Sequence, residues 1–124
     1  MTKIAINGFG RIGRLFLRQV IKVRDIQVVA INDLGDIENL AYLLQYDSVY
    51  GTLDAKVEVV EKMQNGGGVL GIDGKRITFS QIKDPAALPW KKMNIDIVVE
   101  ATGTFESYEK AQVHLKAGAT RVVI

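Results

Sequence analysis

The stretch that most constrains the fold is Ile4–Arg14, where an apolar run leads directly into three spaced glycines. The apolar run predicts a buried strand over about residues 2–7. In the turn that follows, Gly8 permits a tight bend, Gly10 permits close approach of a phosphate, and Gly13 permits the next helix to pack against the strand. The helix N-terminus adds a partial positive charge. Because glycine triplets also occur in ordinary turns, the spacing of later residues decides what this motif means.

An acidic residue follows the second predicted strand at an informative distance. Residues 27–32 predict that strand, and Asp33 comes next, 20 residues after Gly13. A carboxylate there can accept hydrogen bonds from the adenosine ribose of a dinucleotide, and it would repel a 2′-phosphate, which favours NAD over NADP. The alternative is that Asp33 caps the next helix. The order strand, glycine turn, helix, strand favours the dinucleotide interpretation.

A third predicted strand, residues 95–100, ends in a turn of small residues that contains Thr102 and Gly103. Ligands of open α/β sheets bind at the carboxyl ends of the strands. Thr102 and Gly103 are therefore candidates to lie beside a cofactor. The alternative is a small turn selected by packing alone.

Together these patterns predict an α/β fold: a Rossmann-like, doubly wound, mostly parallel sheet with an inserted antiparallel hairpin. Asp73-Gly74 marks the hairpin turn, and whether residues 56–80 join the main sheet stays open. Glycines 66–68 predict a turn and not a phosphate loop, because no helical pattern follows. The predicted parallel strands cover about 2–7, 27–32, 95–100 and 120–124, and the helices run from Gly10 towards Asp25, over 36–46 and over 106–116.

The first helix carries an apolar face and a basic face. The basic face is either a nucleic-acid or phosphate surface or a solvated helix face, and the second interpretation is favoured. The predicted apolar face consists of Ile12, Leu15, Phe16, Val20 and Val23, and the basic face of Arg11, Arg14, Arg18 and Lys22.

The last helix contains the single histidine of the chain, His114. Its position lies off the predicted apolar face, which consists of Tyr108, Ala111, Gln112 and Leu115. The sequence offers His114 no obvious acid, base or metal partner, so we expect a surface residue. Gly118 predicts the end of the helix.

Composition narrows the class of protein. The 124 residues predict one domain, and the absence of cysteine excludes a disulfide, a thiolate metal site and a cysteine nucleophile among these residues. A net charge of +2 gives no argument for nucleic acid or membrane binding. No apolar run is long enough for a membrane span, and no signal peptide is evident. We expect a cytoplasmic protein without a metal site.

Several segments resemble the phosphorylating glyceraldehyde-3-phosphate dehydrogenase family, in order along the whole chain. Related erythrose-4-phosphate dehydrogenases share the first segment, whereas Asn32-Asp33 and Glu100–Gly103 look more like the glyceraldehyde enzymes. The matching segments are Ile6–Arg14, Val29–Leu34, Tyr42–Gly51, Asp84-Pro85 with Leu88–Trp90, Val98–Gly103 and His114–Ala119.

The resemblance implies a set of cofactor contacts. The backbone of Arg11 and Ile12 would hold the pyrophosphate, and Asp33 would bind the adenosine ribose. The adenine would lie between Leu34 and Phe105, and Leu34 resembles NAD-specific members. Lys83 stands where the family often has an arginine. The implied NAD-binding set is Asn7, Gly8, Phe9, Gly10, Arg11, Ile12, Gly13, Asn32, Asp33, Leu34, Lys83, Thr102, Gly103 and Phe105.

The resemblance also implies what these residues lack. The family oxidises glyceraldehyde 3-phosphate through a cysteine thiolate activated by a histidine, with inorganic phosphate as second substrate, in glycolysis. No cysteine is present, and His114 does not match the family histidine. We therefore expect residues 1–124 to form a dinucleotide-binding domain, incomplete at its C-terminal end, without the catalytic domain and without activity alone. A tetramer is implied for the family, and self-association is expected for these residues. The alternative is an isolated module that binds a nucleotide, RNA or a protein without catalysis.

Overall fold

A computed structural model describes residues 2–47, 51–84, 87–102 and 108–123. These residues form a main mixed sheet with helices on both faces and a small second sheet. The elements are β1 (Thr2–Asn7), α1 (Arg11–Val20), β2 (Ile26–Asn32), α2 (Ile37–Gln45), β3 (Tyr46–Asp47), β4 (Gly51–Thr52), β5 (Val57–Lys62), β6 (Gly68–Ile72), β7 (Lys75–Ser80), β8 (Ile97–Glu100), α3 (Tyr108–Lys116) and β9 (Arg121–Val123).

The main sheet has seven strands in the order β5-β6-β7-β2-β1-β8-β9. The five strands β7, β2, β1, β8 and β9 are neighbours in this order and pair in parallel. β5 pairs antiparallel with β6, and β6 pairs antiparallel with β7. This arrangement confirms the predicted Rossmann-like sheet with an inserted hairpin. It adds β7 as a fifth parallel strand, because Ala30 of β2 pairs with Thr78. Separately, β3 and β4 form a small antiparallel sheet.

Two predicted turns lie within the inserted segment. Asp73 and Gly74 both have positive φ, 49° and 84°, the geometry of a tight hairpin turn between β6 and β7. Gly66 also has positive φ, 89°, and the nitrogen of Met63 donates to the carbonyl of Gly67 at 2.8 Å. The glycine run therefore makes the turn between β5 and β6, as predicted.

The central strand β1 is buried on both faces of the sheet. Ile4 and Ile6 join the apolar cluster that contains Leu17 of α1 and Leu44 of α2. Ala5 points to the opposite cluster, together with Trp90 and other residues. Because both faces are covered, the central strands are apolar at successive positions instead of alternating with polar residues. Because β2, β1 and β8 are parallel neighbours, their carboxyl ends meet at one edge of the sheet.

The predicted apolar face of α1 is partly wrong. Leu17 is fully buried although the prediction omitted it, whereas Ile12 is 69% exposed. Val23 lies beyond the end of α1 and is also exposed. Ile12 lies in the first turn of α1, two residues after Gly10, which borders an open cleft.

The basic face of α1 is not simply solvated. The Arg18 guanidinium donates hydrogen bonds to the carbonyl oxygens of Leu44, at 2.7 Å, and Gly51, at 2.9 Å. Arg14 donates a hydrogen bond to the carbonyl oxygen of Phe9 at 3.0 Å. The pKa of Arg14 is lowered, and burial is the largest of several influences on it. These two guanidinium groups hold parts of the fold together, which corrects the expectation for this face.

Candidate functional site

A cleft of about 420 Å³ opens at the carboxyl ends of the central strands. Its size lies within the range of small-molecule sites. The glycine turn forms one wall, and the ends of β2 and β8 form others. The lining residues are Asn7, Gly8, Gly10, Asn32, Asp33, Leu34, Ile82, Lys83, Ala101 and Thr102.

Two of the three glycines of the turn have a steric reason to lack a side chain. Gly8 has φ +96°, and a Cβ there would lie 2.6 Å from the backbone nitrogen of Thr102. A Cβ at Gly13 would collide with the carbonyl oxygen of Gly8, whereas a Cβ at Gly10 would meet nothing within 4 Å. Gly8 and Gly13 therefore allow close backbone packing, and Gly10 borders open space.

The N-terminus of α1 suits an anion. Gly10 occupies the N-cap position without a side-chain hydrogen bond, and the first turn contains no acidic residue. The first N–H groups of a helix lack partners within the helix, and the helix dipole makes this end positive. Because Gly10 adjoins the cleft, a phosphate group in the cleft could reach these donors.

Asp33 is held rigidly at the end of β2. One carboxylate oxygen accepts a hydrogen bond from the nitrogen of Phe9 at 2.6 Å, and the other accepts from the nitrogen of Gly35 at 2.7 Å. The N-cap of α2 is Asp36, whose side chain accepts from the nitrogen of Asn39 at 3.1 Å. The helix-cap interpretation of Asp33 is therefore wrong, and its carboxylate borders the cleft.

The other predicted residues divide into four groups. Leu34, 62% exposed, and Lys83 line the cleft. The Phe9 side chain is fully buried in the core, so only its backbone can serve the site. Arg11 and Ile12 occupy the first turn of α1, beside the cleft but outside its lining. Gly103 and Phe105 lie outside the described residues.

Asn7 and Asn32 are joined in a buried network under the cleft. The amide of Asn32 donates to the side-chain oxygen of Asn7 at 2.9 Å, and the amide of Asn7 donates to Glu100 at 2.8 Å. The hydroxyl of Ser80 donates to the side-chain oxygen of Asn32 at 2.8 Å. Neighbouring strands are therefore linked, at their carboxyl ends, by side chains as well as by backbone.

The expectation that His114 is a surface residue without partners is wrong. The side chain is 1% exposed; its Nε2 is hydrogen-bonded to Glu100, and the indole N–H of Trp90 donates to its Nδ1 at 3.1 Å. Leu115, predicted on the apolar face, is 44% exposed. The signal that sequence reasoning passed over was a carboxylate, Glu100, directly ending an apolar strand.

The surroundings of Glu100 favour its ionised form. Burial by itself raises the pKa of a carboxyl group, and it is the largest single influence here. Hydrogen bonds from His114, Thr102 and Asn7 outweigh burial and lower the pKa of Glu100 below its ordinary value. A carboxylate is therefore stable at this buried edge of the sheet.

The described part of the chain offers neither a metal-binding cluster nor a membrane-spanning helix. Across residues 2–47, 51–84, 87–102 and 108–123, no cluster of three or more His, Cys, Asp or Glu side chains could hold a metal ion. Within those same ranges, no helix has the length and apolar character that crossing a bilayer requires.

The parallel sheet, the glycine turn and the carboxylate at the end of β2 define a dinucleotide-binding Rossmann domain. Residues 2–108 match the family described as glyceraldehyde 3-phosphate dehydrogenase, NAD binding domain. The chain belongs to this family, whose cofactor is NAD.

Individual glyceraldehyde-3-phosphate dehydrogenases are similar along almost the whole chain. The enzyme of Clostridium pasteurianum is 48% identical over 124 residues, and that of Geobacillus stearothermophilus is 50% identical over 123 residues. The cytosolic enzyme of Trypanosoma brucei brucei is 46% identical over 124 residues. These alignments cover 100%, 99% and 100% of the chain, but only 35%, 35% and 36% of the respective relatives.

Proposed function

We propose that the cleft binds NAD, with Asp33 as the partner of the adenosine ribose. The backbone of Arg11 and Ile12 holds the pyrophosphate at the positive end of α1. The adenine lies against Leu34 and near Thr102, with Lys83 on the same side. The resemblance to the family assigns Phe105 and Gly103 to the adenine side as well. The remaining contacts come from residues of the glycine turn and from the ends of β1 and β2: Asn7, Gly8, Phe9, Gly10, Gly13 and Asn32.

One observation carries this proposal: the fixed carboxylate of Asp33 and the uncapped start of α1 border the same open space. The hydrogen bonds from Phe9 and Gly35 leave each Asp33 oxygen with further acceptor capacity, which ribose hydroxyls can use. Gly10 leaves room for the pyrophosphate between the two. The cleft thus offers an acceptor for the sugar and donors for the phosphates, the two features that a dinucleotide needs.

The experiment is calorimetric titration of the chain with NAD. We expect binding, and the substitution Asp33→Ala lowers the affinity about 10-fold or more, because hydrogen bonds to a carboxylate contribute roughly 1.5–3 kcal/mol. Asp36→Ala is the matched control, since it removes a carboxylate that caps α2 and does not line the cleft. Equal losses in both variants, or no binding by the unmodified chain, would contradict the assignment.

The same carboxylate underlies a preference for NAD over NADP. A 2′-phosphate would lie beside Asp33, and two negative groups repel each other at that distance. We expect weaker binding of NADP than of NAD, and Asp33→Ala narrows the difference. Titrations with both cofactors at one ionic strength test this prediction, and a preference that survives the substitution would exclude Asp33 as its source.

For the whole protein we propose the activity of the family. Glyceraldehyde 3-phosphate is oxidised and phosphorylated in glycolysis, in the cytoplasm, by a homotetramer; NAD accepts the hydride when bound. Residues 1–124 are the dinucleotide-binding domain of that protein. They contain no cysteine, so they lack the thiol nucleophile that the family uses. We expect the chain alone to form no NADH with aldehyde and phosphate, as followed by absorbance, and turnover by the purified chain would refute this.

A further inference from the structure

A buried carboxylate connects α3 to the wall of the cleft. Glu100 is 5% exposed and lies at the end of β8. One of its oxygens is hydrogen-bonded to His114 and to the amide of Asn7. The other accepts the hydroxyl of Thr102 at 2.6 Å and the nitrogen of Thr102 at 3.3 Å. A single carboxylate therefore holds α3, the end of β1 and the turn after β8 at the same time.

The partners of His114 determine its tautomer. The indole N–H of Trp90 can only donate, so Nδ1 of His114 must accept and carries no proton. The ring proton then lies on Nε2, which faces Glu100. His114 is thus a neutral donor to an ionised carboxylate, an assignment that rests on its hydrogen-bond partners. Protonation of both ring nitrogens would set an N–H of His114 against the N–H of Trp90.

Thr102 transmits this arrangement to the glycine turn. The missing side chain of Gly8 leaves room that is filled by the backbone of Ala101 and Thr102. The nitrogen of Ala101 also donates to the carbonyl of Asn7 at 2.8 Å. A shift of Thr102 would therefore press directly on Gly8, and both residues line the cleft.

We infer that His114 and Glu100 are positioning residues for the cofactor site, since the Nε2–H tautomer of His114 orients the Glu100 carboxylate that fixes Thr102 against Gly8. This inference rests on the proposed binding of NAD in the cleft. Neither residue touches the open space itself, because both are buried beneath it. Their effect on NAD passes through the position of Thr102.

The direct test uses nuclear magnetic resonance of the unmodified chain. It contains one histidine and one tryptophan, so the imidazole and indole signals have unique assignments. We expect long-range proton–nitrogen spectra at neutral pH to show a protonated Nε2 and an unprotonated Nδ1. A protonated Nδ1, in the other tautomer or in an imidazolium ion, would overturn the inference without any titration of NAD.

The functional test compares two substitutions of His114 in the same chain. In His114→Gln, the amide can donate to Glu100 and its oxygen can accept from Trp90, which reproduces the neutral tautomer. His114→Leu removes both hydrogen bonds at similar size. We expect His114→Leu to lower the NAD affinity roughly 10-fold, as the loss of hydrogen bonds to a charged group predicts, and His114→Gln to recover most of that loss.

A third variant separates positioning from general loss of stability. Leu88→Ala opens a cavity in the same apolar cluster as Trp90 without removing a polar contact of Glu100. We expect Leu88→Ala to have a lower unfolding midpoint. Under conditions in which it is folded, we expect it to bind NAD with the affinity of the unmodified chain. If all three variants bind NAD in proportion to their stability, the inference is overturned. If the unmodified chain binds no NAD, the proposed function fails, while the tautomer measurement still tests the network.

Thr102 provides a coupling test when His114→Leu folds. Thr102→Val removes the hydroxyl that donates to Glu100, and Thr102→Ser keeps it. If His114 acts through Thr102, the double variant that carries both His114→Leu and Thr102→Val loses less NAD affinity than the product of the two single losses. Fully multiplicative losses, or equal losses from Thr102→Val and Thr102→Ser, would contradict the route through Thr102.

Discussion

Glu100 shows how a single buried charge can be tolerated in a sheet. An isolated carboxylate would be costly at this depth, yet Asn7, Thr102 and His114 supply hydrogen bonds to it. Removing one partner leaves the others facing a charge that is less well satisfied, so each bond matters more than a surface contact does. The hydrogen bonds that offset the cost of burying the Glu100 carboxylate are thus the same ones that hold the wall of the cleft.

The lowered pKa of Glu100 makes this contribution depend on pH. A carboxyl group whose pKa is lower in the folded chain than in the unfolded chain stabilises the fold above its ordinary pKa of 4.5. That contribution disappears as the pH falls below 4.5 and through the lower pKa of the folded chain. We expect Glu100→Gln to destabilise the chain at pH 7, and the difference from the unmodified chain to shrink in this acidic range.

Urea unfolding at several pH values measures this difference. Glu61→Gln is the control, because Glu61 is exposed on β5, at the edge of the sheet. We expect its small effect to be nearly constant over the same range. A Glu100→Gln difference that grows on acidification would mean that the folded pKa of Glu100 is raised and not lowered.

Among the elements, α1 and α2 are joined by a side chain as well as by apolar packing. Arg18 of α1 reaches the carbonyl oxygens of Leu44, near the end of α2, and Gly51 of β4. Carbonyl groups in the last turn of a helix lack partners within the helix, and a cation there also complements the helix dipole. Arg18 therefore fastens the end of α2 to the small sheet of β3 and β4.

We expect Arg18→Met to lower the free energy of unfolding by about 1–3 kcal/mol, because it keeps an apolar stem and loses hydrogen bonds from a charged donor. Lys22→Met is the matched control: its Nζ lies 3.6 Å from Asp54, and both side chains are largely exposed. Such a surface pair contributes roughly 0–1 kcal/mol. Equal effects of the two substitutions in urea unfolding would show that Arg18 is only a surface charge.

The sequence predicted what local geometry decides. The turns at Gly8 and at Asp73-Gly74 were predictable from the sequence, because few residues adopt a positive φ. The partners of β7 and of His114 were not predictable in this way. His114 meets Glu100 14 residues away and Trp90 24 residues away, and these contacts follow from how α3 docks. Helical periodicity alone does not predict that the polar His114 is buried while Leu115 is exposed.

For the whole molecule, the distribution of exposed apolar side chains argues for self-association. Tyr42 and Tyr46 are 61% and 51% exposed, and their ring centroids lie 5.0 Å apart. They line a shallow cleft with Arg11 and Leu43. Exposed aromatic residues that adjoin one another commonly mark an interface between proteins.

We expect the chain to associate with itself as its concentration rises, which sedimentation velocity measures. The pair Tyr42→Ser and Tyr46→Ser weakens the association, because it removes these two exposed and adjoining aromatic rings. Val60→Ser on β5 is the control, since Val60 is also partly exposed but lies on an edge strand. A monodisperse monomer at high concentration would contradict the prediction, and an equal effect of Val60→Ser would place the interface elsewhere.

The central position of β1 has a consequence for the time at which the cleft comes into existence. β1 is synthesised before β8, and Asn7 of β1 meets Glu100, which lies 93 residues later in the chain. At about 5–20 residues per second on the ribosome, roughly 5–20 seconds separate the two strands. The glycine turn cannot take its final position until β8 arrives, and such distant contacts slow folding. Binding of NAD therefore indicates that β8 has joined the sheet. A nascent chain that ends before β8 does not form the cleft.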